Sequence, residues 1–200
     1  MNIRIFLYTA IIMAASLQVK AADNQFASKS RWIWFDALKI TVGDCYYRKA
    51  IDFKDGMESV VLVTYMDDVG EVYLNGKKIA YSITGRGKDN KALVKARKFN
   101  LSGKLKPGKN ILAVHVNNMR HSGGLMLLGT VIHASGKAGY IHSDKSWKAS
   151  GTLSENWMSE NFDDSKWANA KEFMDVNAKP WADVSEVKNI CLTPEEKAAK

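Results

Sequence analysis

The residues of this 200-residue chain whose types can carry chemistry are four histidines, two pairs of adjacent acids, two cysteines and six tryptophans. His115, His121, His133 and His142 fall in no zinc-ligand spacing, and there is no HExxH. The acid pairs are Asp67-Asp68 and Asp163-Asp164. Glycoside hydrolysis needs two carboxyls facing each other across the bond, one with a raised pKa. Neighbours within one turn rarely converge in that way, so each pair reads first as a turn former or helix cap. Loop carboxylates and carbonyls also suit calcium, and Asp67 and Asp68 are the better candidate ligands for a structural calcium. No catalytic residue and no other cofactor are expected.

The tryptophans are Trp32, Trp34, Trp147, Trp157, Trp167 and Trp181. An indole face stacks on the C–H face of a sugar while polar neighbours bond the hydroxyls, but the same ring serves equally in a core. Trp147 and Trp167 end the patterned segments SDKSW and NFDDSKW and read as core. The candidate ligand residues are Trp34, as an exposed stacking ring, with Asp67, Asp68, Asn118, Arg120 and His121 on loops. Arg120 and His121 stand beside Gly123-Gly124 at a strand end, where loop side chains reach a ligand; a merely solvated loop is the alternative.

The elements that must position these groups are strands. Ser59–Tyr65, SVVLVTY, is β-branched and apolar throughout, as a buried strand is. Asp67-Asp68 and Gly70 break it. Asn75-Gly76 between VYL and KKI predicts a type I′ hairpin, since both central residues need positive φ. Lys106-Pro107-Gly108-Lys109 is a turn. Asn110 to Asn117 alternates, with Leu112, Val114 and Val116 on one face and Ala113, His115 and Asn117 on the other, which puts His115 on the outer face. Leu125–His133 is a further apolar strand. Strands at this spacing predict an all-β antiparallel sandwich or barrel. Thr193, Pro194 and Glu196 predict a short helical turn near the C-terminus.

Arg4, the apolar run Ile5–Leu17 and Val19-Lys20-Ala21 have the form of an export signal, too short to span a bilayer comfortably. A retained anchor is the alternative. Residues 1–21 are therefore set aside, 22–184 form one domain, and 185–200 form a tail. The expected location is secreted or periplasmic, with no membrane span in the mature form. In that compartment Cys45 and Cys191 can form one disulfide, the alternative being two buried thiols. Net charge is +8, or +6 once Arg4 and Lys20 are removed. Eleven Lys or Arg lie between Lys77 and Lys109 against one acid, Asp89. That stretch is either a solvated face or a surface for an anionic polymer. No recognition motif for nucleic acid is present.

The ordered set WIWF, YYRKAIDF, VYLNGKKI, FNLSGKLKPGKNILAVHVNN, SDKSWKAS and NFDDSKWANA resembles the galactose-binding-domain-like jelly-roll. More narrowly, it resembles the sugar-binding β-sandwich of family 2 glycoside hydrolases and α-L-rhamnosidases, over Ser30 to Asp183. The resemblance implies an antiparallel jelly-roll that is usually non-catalytic and binds carbohydrate or packs against a catalytic module. Ligand sites in such domains lie in loops at one end or on the concave sheet. It assigns Asn75-Gly76, Pro107-Gly108, Trp147 and Trp167 to the framework. The expected partner is an oligo- or polysaccharide, of the anionic kind if the basic stretch takes part, and the expected role is accessory to polysaccharide degradation. No catalytic domain is expected after the sandwich, which leaves a separate glycoside hydrolase as partner or a stand-alone binder. The alternatives are a structural sandwich that docks such an enzyme or a surface assembly, and, less in keeping with the residues, a glycosidase.

Overall fold

The computed structural model describes residues 29–36, 42–53, 57–83, 85–86, 92–93, 97–120, 123–133 and 138–175. The expected leader, Trp181, Cys191 and the expected helical turn lie outside the described residues. The strands are β1 (Arg31–Trp34), β2 (Gly43–Phe53), β3 (Met57–Asp67), β4 (Val69–Leu74), β5 (Lys77–Ile83), β6 (Gly85–Arg86) and β7 (Ala92–Leu93). They continue with β8 (Arg97–Asn100), β9 (Gly108–Asn118), β10 (Gly124–His133), β11 (Ala138–His142), β12 (Lys148–Ser150), β13 (Ala168–Asn169) and β14 (Lys171–Asp175). One sheet runs β14-β1-β10-β3-β8, with β11 also paired to β10; the second runs β13-β12-β2-β9-β4-β5, and β6 and β7 pair as a separate two-stranded sheet. Every pairing is antiparallel. The fold is the all-β sandwich that the sequence predicts, and no helix occurs among the described residues.

The core follows from strand alternation. Leu112, Val114 and Val116 of β9 point inward, as their spacing predicts, beside Cys45 and Tyr47 of β2. They meet Leu62 and Met66 of β3 and Leu125 and Leu127 of β10. Val61, Val63 and Tyr65, on the other face of β3, are buried too. That double burial is why β3 reads as a continuous apolar run rather than an alternation. Trp147 is fully buried, and its indole N–H donates to the His142 carbonyl at 2.9 Å. Cys45 is buried, which pushes its thiol far above the ordinary pKa, and its expected disulfide with Cys191 falls outside the described residues.

Two asparagines weld the turn end. Asn75 has φ 50° and Gly76 φ 81°, as a type I′ turn requires. Asn75 Oδ1 accepts from the Ile111 N–H at 2.7 Å, and Asn75 Nδ2 donates to Asn110 Oδ1 at 2.8 Å. Asn110, fully buried, also donates to the Lys106 and Gly108 carbonyls at 2.7 and 3.0 Å. The hairpin and the Pro-Gly loop thus share one set of bonds.

Residues 151–167 form a flap over half of the outer face of the second sheet. Trp157 and Trp167 pack there on Tyr46, Tyr73, Ile111 and Ala113. Arg48 of β2 holds the flap from beneath. Its side chain is 1% exposed and its Nε donates to Asp164 Oδ2 at 2.8 Å. Its other nitrogens donate to the carbonyls of Trp157, Ser159 and Phe162, and the guanidinium lies 5.0 Å from the Phe162 ring centre. NFDDSKW is therefore framework, as expected.

Replacing Arg48 with Met is expected to cost about 3 kcal/mol, because the carbonyls and carboxylate it satisfies lose a buried partner. Lys, a single point donor, does not restore the loss. A denaturant titration with tryptophan fluorescence checks this; an unchanged midpoint would show that the aromatics alone hold the flap.

Candidate functional site

Strand register brings the candidate loop residues together. β3 ends at Asp67 and β4 begins at Val69, so Asp68 occupies the turn between them. Gly124 pairs with Asp67, Val69 with Asn117, and Gly43 with Asn118. The β1–β2, β3–β4 and β9–β10 connections therefore emerge at one end of the sandwich. The Asp68 N–H donates to the Asn117 carbonyl at 3.1 Å, and Asp68 Oδ2 accepts from the Met119 N–H at 2.9 Å. Asn118 Oδ1 accepts from the Arg120 N–H at 3.1 Å.

These residues divide by exposure. Asp67 and Asn118 are buried and build the floor of the end. Asp68 is half-buried and Arg120 exposed, with the apolar side chains of Val42 and Met119 exposed on the adjoining residues. The loop is packed closely: a Cβ on Gly123 would fall 2.5 Å from the Asn118 side chain. His121 lies outside the described residues.

Trp34 is corrected by the structure. It is 0% exposed and part of the inter-sheet core, so it offers no face to a sugar. Trp32, Trp147, Trp157 and Trp167 are buried as well, and Trp181 lies outside the described residues. The calcium expectation rests on Asp67 and Asp68. Among the described residues no group of three or more His, Cys, Asp or Glu is arranged to hold a metal ion. One oxygen of Asp68 already faces a backbone N–H.

Only part of the basic stretch stands apart from this end, since Arg97 of β8 pairs with Thr64, three residues before Asp67. Lys104, Lys106 and Lys109 lie around the start of β9, whose eleven residues at ~3.3 Å each place Asn118 roughly 30 Å away. Lys106 is paired there with Glu160, while Lys78 of β5 is paired with Glu71, opposite His115.

A second polar grouping lies on the half of the outer face that the flap leaves open. It consists of residues that the sequence reading passed over, apart from His115 and its outward neighbour Asn117. Glu71, His115 and Tyr46 stand in register across β4, β9 and β2. Asn117 and Asp44 form the next row. His115 Nε2 lies 2.7 Å from Asp44 Oδ1, which also accepts from Asn117 Nδ2 at 2.8 Å. His115 Nδ1 is 3.8 Å from Glu71 Oε2, and the imidazole stacks on Tyr46 at 4.8 Å. Glu71 accepts from Tyr73 Oη and Lys78 Nζ. Burial pushes the Asp44 carboxyl up, but its bonds from Asn117 and His115 and the attraction of His115 outweigh it and hold the pKa below the ordinary value. Glu71 behaves alike: burial raises it, while Lys78 and Tyr73 bring it below. A glycosidase acid needs the opposite shift.

No known family model matches the sequence, and no curated protein sequence matches it. Solved structures do. The chain is similar to an α-L-rhamnosidase of Streptomyces avermitilis, complexed with L-rhamnose, at 26% identity and TM-score 0.68, over 78% of this chain and 15% of that one. It is similar to the lectin of Pleurotus ostreatus in complex with GalNAc at 22% identity and TM-score 0.66, over 78% of this chain and 46% of that one. A GH78 rhamnosidase of Bacillus sp. GL1 matches at 20% identity and TM-score 0.61, over 77% and 19%. The likeness is that of a galactose-binding-like β-sandwich, as the segment order predicts. The chain spans less than half the length of each of these proteins.

Since Asp44 and Glu71 are held below their ordinary values, they stabilise the fold fully above the ordinary carboxylate range. That contribution is lost as pH falls through their lowered values. Melting temperature is expected to fall on acidification through this window, and the Asp44→Asn, Glu71→Gln double variant to show a shallower fall. Identical profiles would mean that other carboxyls govern acid stability.

Proposed function

We propose that this chain is an exported, non-catalytic carbohydrate-binding sandwich that takes its ligand at the end formed by Asp68, Asn118 and Arg120. The observation that carries the reading is the convergence of these residues from separate connections. The charged groups of Asp68 and Arg120 stand there over a buried floor of Asp67 and Asn118, with an exposed apolar rim at Val42 and Met119. Sugars need that mixture: acceptors and donors for hydroxyls, and apolar surface for the ring. The rhamnosidase and lectin neighbours, whose structures carry L-rhamnose and GalNAc, support a sugar as the ligand.

Non-catalysis is supported by the carboxyls. Asp67 and Asp68 share one turn and do not face each other across a gap. Asp44 and Glu71 flank His115, whose ring lies between them, and both are held low rather than raised. Docking of a separate glycoside hydrolase calls for a broad apolar patch. The exposed large apolar side chains among the described residues are Val42, Tyr81, Met119, Leu153 and Met174, on separate elements and loops. Export rests on the pattern at residues 1–21, and an accessory role in polysaccharide breakdown rests on the company such sandwiches keep.

A glycan panel read at low and high salt tests the reading. Retention of neutral glycans that salt leaves unchanged is expected, with Asp68→Ala and Arg120→Ala each weakening it about tenfold or more. No released sugar is expected from aryl glycosides. Binding confined to sulfated or uronic glycans and lost in salt would move the ligand to the basic residues. The same assay with a chelator tests calcium: if Asp67 and Asp68 hold the ion, affinity drops and added calcium restores it. Silence across the panel would overturn the proposal.

A further inference from the structure

The flap and Arg48 cover only part of the outer face of the second sheet. The remainder carries an ordered set of polar side chains ending in an exposed ring. Tyr81 of β5 pairs directly with Glu71, so it shares the row Tyr81, Glu71, His115, Tyr46 across β5, β4, β9 and β2. It is 53% exposed. Three strand spacings of ~4.8 Å make this row about 14 Å long. The neighbouring row, Asn117 and Asp44, lies between it and the loop end, and the Asp68 N–H bonded to the Asn117 carbonyl joins the two regions.

We propose that this open half-face is a second sugar subsite, continuous with the loop end, which binds the next units of a neutral oligosaccharide. The inference rests on the carbohydrate reading above and extends it from one sugar unit to a chain of them. Its polar atoms are fixed in advance. Asp44 is oriented by Asn117 and His115, Glu71 by Tyr73 and Lys78, and the His115 ring by its stack on Tyr46. Groups immobilised before binding lose little entropy on binding. The Asp44 side chain is 42% exposed, and only its Oδ1 takes bonds from Asn117 and His115. A sugar hydroxyl donating to the carboxylate makes a charge-assisted bond. Tyr81 supplies a flat apolar face beside it for a pyranose ring.

The sign of the charge selects the ligand. Asp44 and Glu71 stay ionised, because their hydrogen bonds hold them below the ordinary carboxylate range. A uronate or sulfate brought over this row meets the Asp44 carboxylate and Glu71, which is already paired with Lys78, whereas Lys104, Lys106 and Lys109 lie around the far end of β9. Neutral units fit, and acidic ones are disfavoured at this position.

Calorimetric titration of the full chain tests the subsite. The probes are L-rhamnose, N-acetylgalactosamine, a neutral trisaccharide ending in each, and the same trisaccharides with a uronic acid as the second unit. The wild type is expected to bind a neutral trisaccharide about tenfold tighter than its monosaccharide. Tyr81→Ala and Asp44→Asn are expected to abolish most of that advantage while monosaccharide affinity and melting temperature stay within about twofold and a few degrees of wild type. The uronate-bearing trisaccharide should bind more weakly than the neutral one, and Asp44→Asn with Glu71→Gln should close that difference. Monosaccharide binding with no trisaccharide advantage, or an advantage that survives both substitutions, overturns the subsite and leaves the loop end standing. Absence of binding by every probe overturns the carbohydrate reading and the subsite together.

Discussion

A guanidinium buried beneath a loop decides how much of this sandwich faces solvent. Arg48 stands in the middle of β2, where the outer face would otherwise be open. Burying a charge is costly unless nearly every donor finds a partner. Here Asp164 and the carbonyls of Trp157, Ser159 and Phe162 supply them. Those partners come from four positions in residues 157–164, so satisfying the guanidinium fixes the course of that segment. The planar fork of arginine suits this task, since its donors point to several acceptors at once. Once the segment is fixed, Trp157 and Trp167 are laid on the sheet, and the boundary between covered and open surface follows.

The two ends of the sandwich are built by different devices. At the turn end, Asn75 donates to Asn110 and accepts from the Ile111 N–H, and Asn110 donates to carbonyls of the Pro-Gly loop, so local chemistry fixes the connection. At the opposite end the connections are held by register. Asp68 and Asn118 are neighbours because β4 and β2 flank β9 at Asn117 and Asn118. Side chain to backbone bonds then close the loops over a buried amide and carboxylate. An end held by long strands can vary its tip residues without disturbing the core, which is the arrangement in which loops carry recognition.

Local features were legible in the sequence, and cross-strand ones were not. Asn75-Gly76 demands positive φ at both positions and gives its turn directly. The alternation of β9 places His115 and Asn117 outward. Neither rule says which strands lie beside β9, so the grouping of Asp44, Glu71 and His115, drawn from three separate strands, stayed invisible. Tyr81 shows the limit more sharply. A regular two-residue hairpin from Leu74 and Lys77 would set Tyr81 opposite Gly70, on the core side. The bulge at Val72/Tyr73 makes Ile79 an extra residue and shifts Tyr81 opposite Glu71, on the outer face. A slip of one residue exchanges the faces of everything that follows. Trp34 failed for another reason: alternation puts Trp32 and Trp34 on one face and Ile33 on the other, but does not say whether another layer covers that face, and all three are 0% exposed.

Tyr46 joins the covered and open halves of the outer face. Its ring meets Trp157 edge-to-face at 5.1 Å and stacks on His115 at 4.8 Å. Burial raises its phenol pKa, so it acts here as a neutral aromatic plate. Whatever fixes Trp157 therefore fixes Tyr46, and Tyr46 limits the tilt of His115, which in turn holds Asp44 at hydrogen-bond distance. The chain of contacts runs from Arg48, through the flap, to a half-exposed carboxylate more than one strand row away. The open polar row and the aromatic cover are thus one construction, and a loosened flap would blur the acceptor geometry without altering any residue of the row.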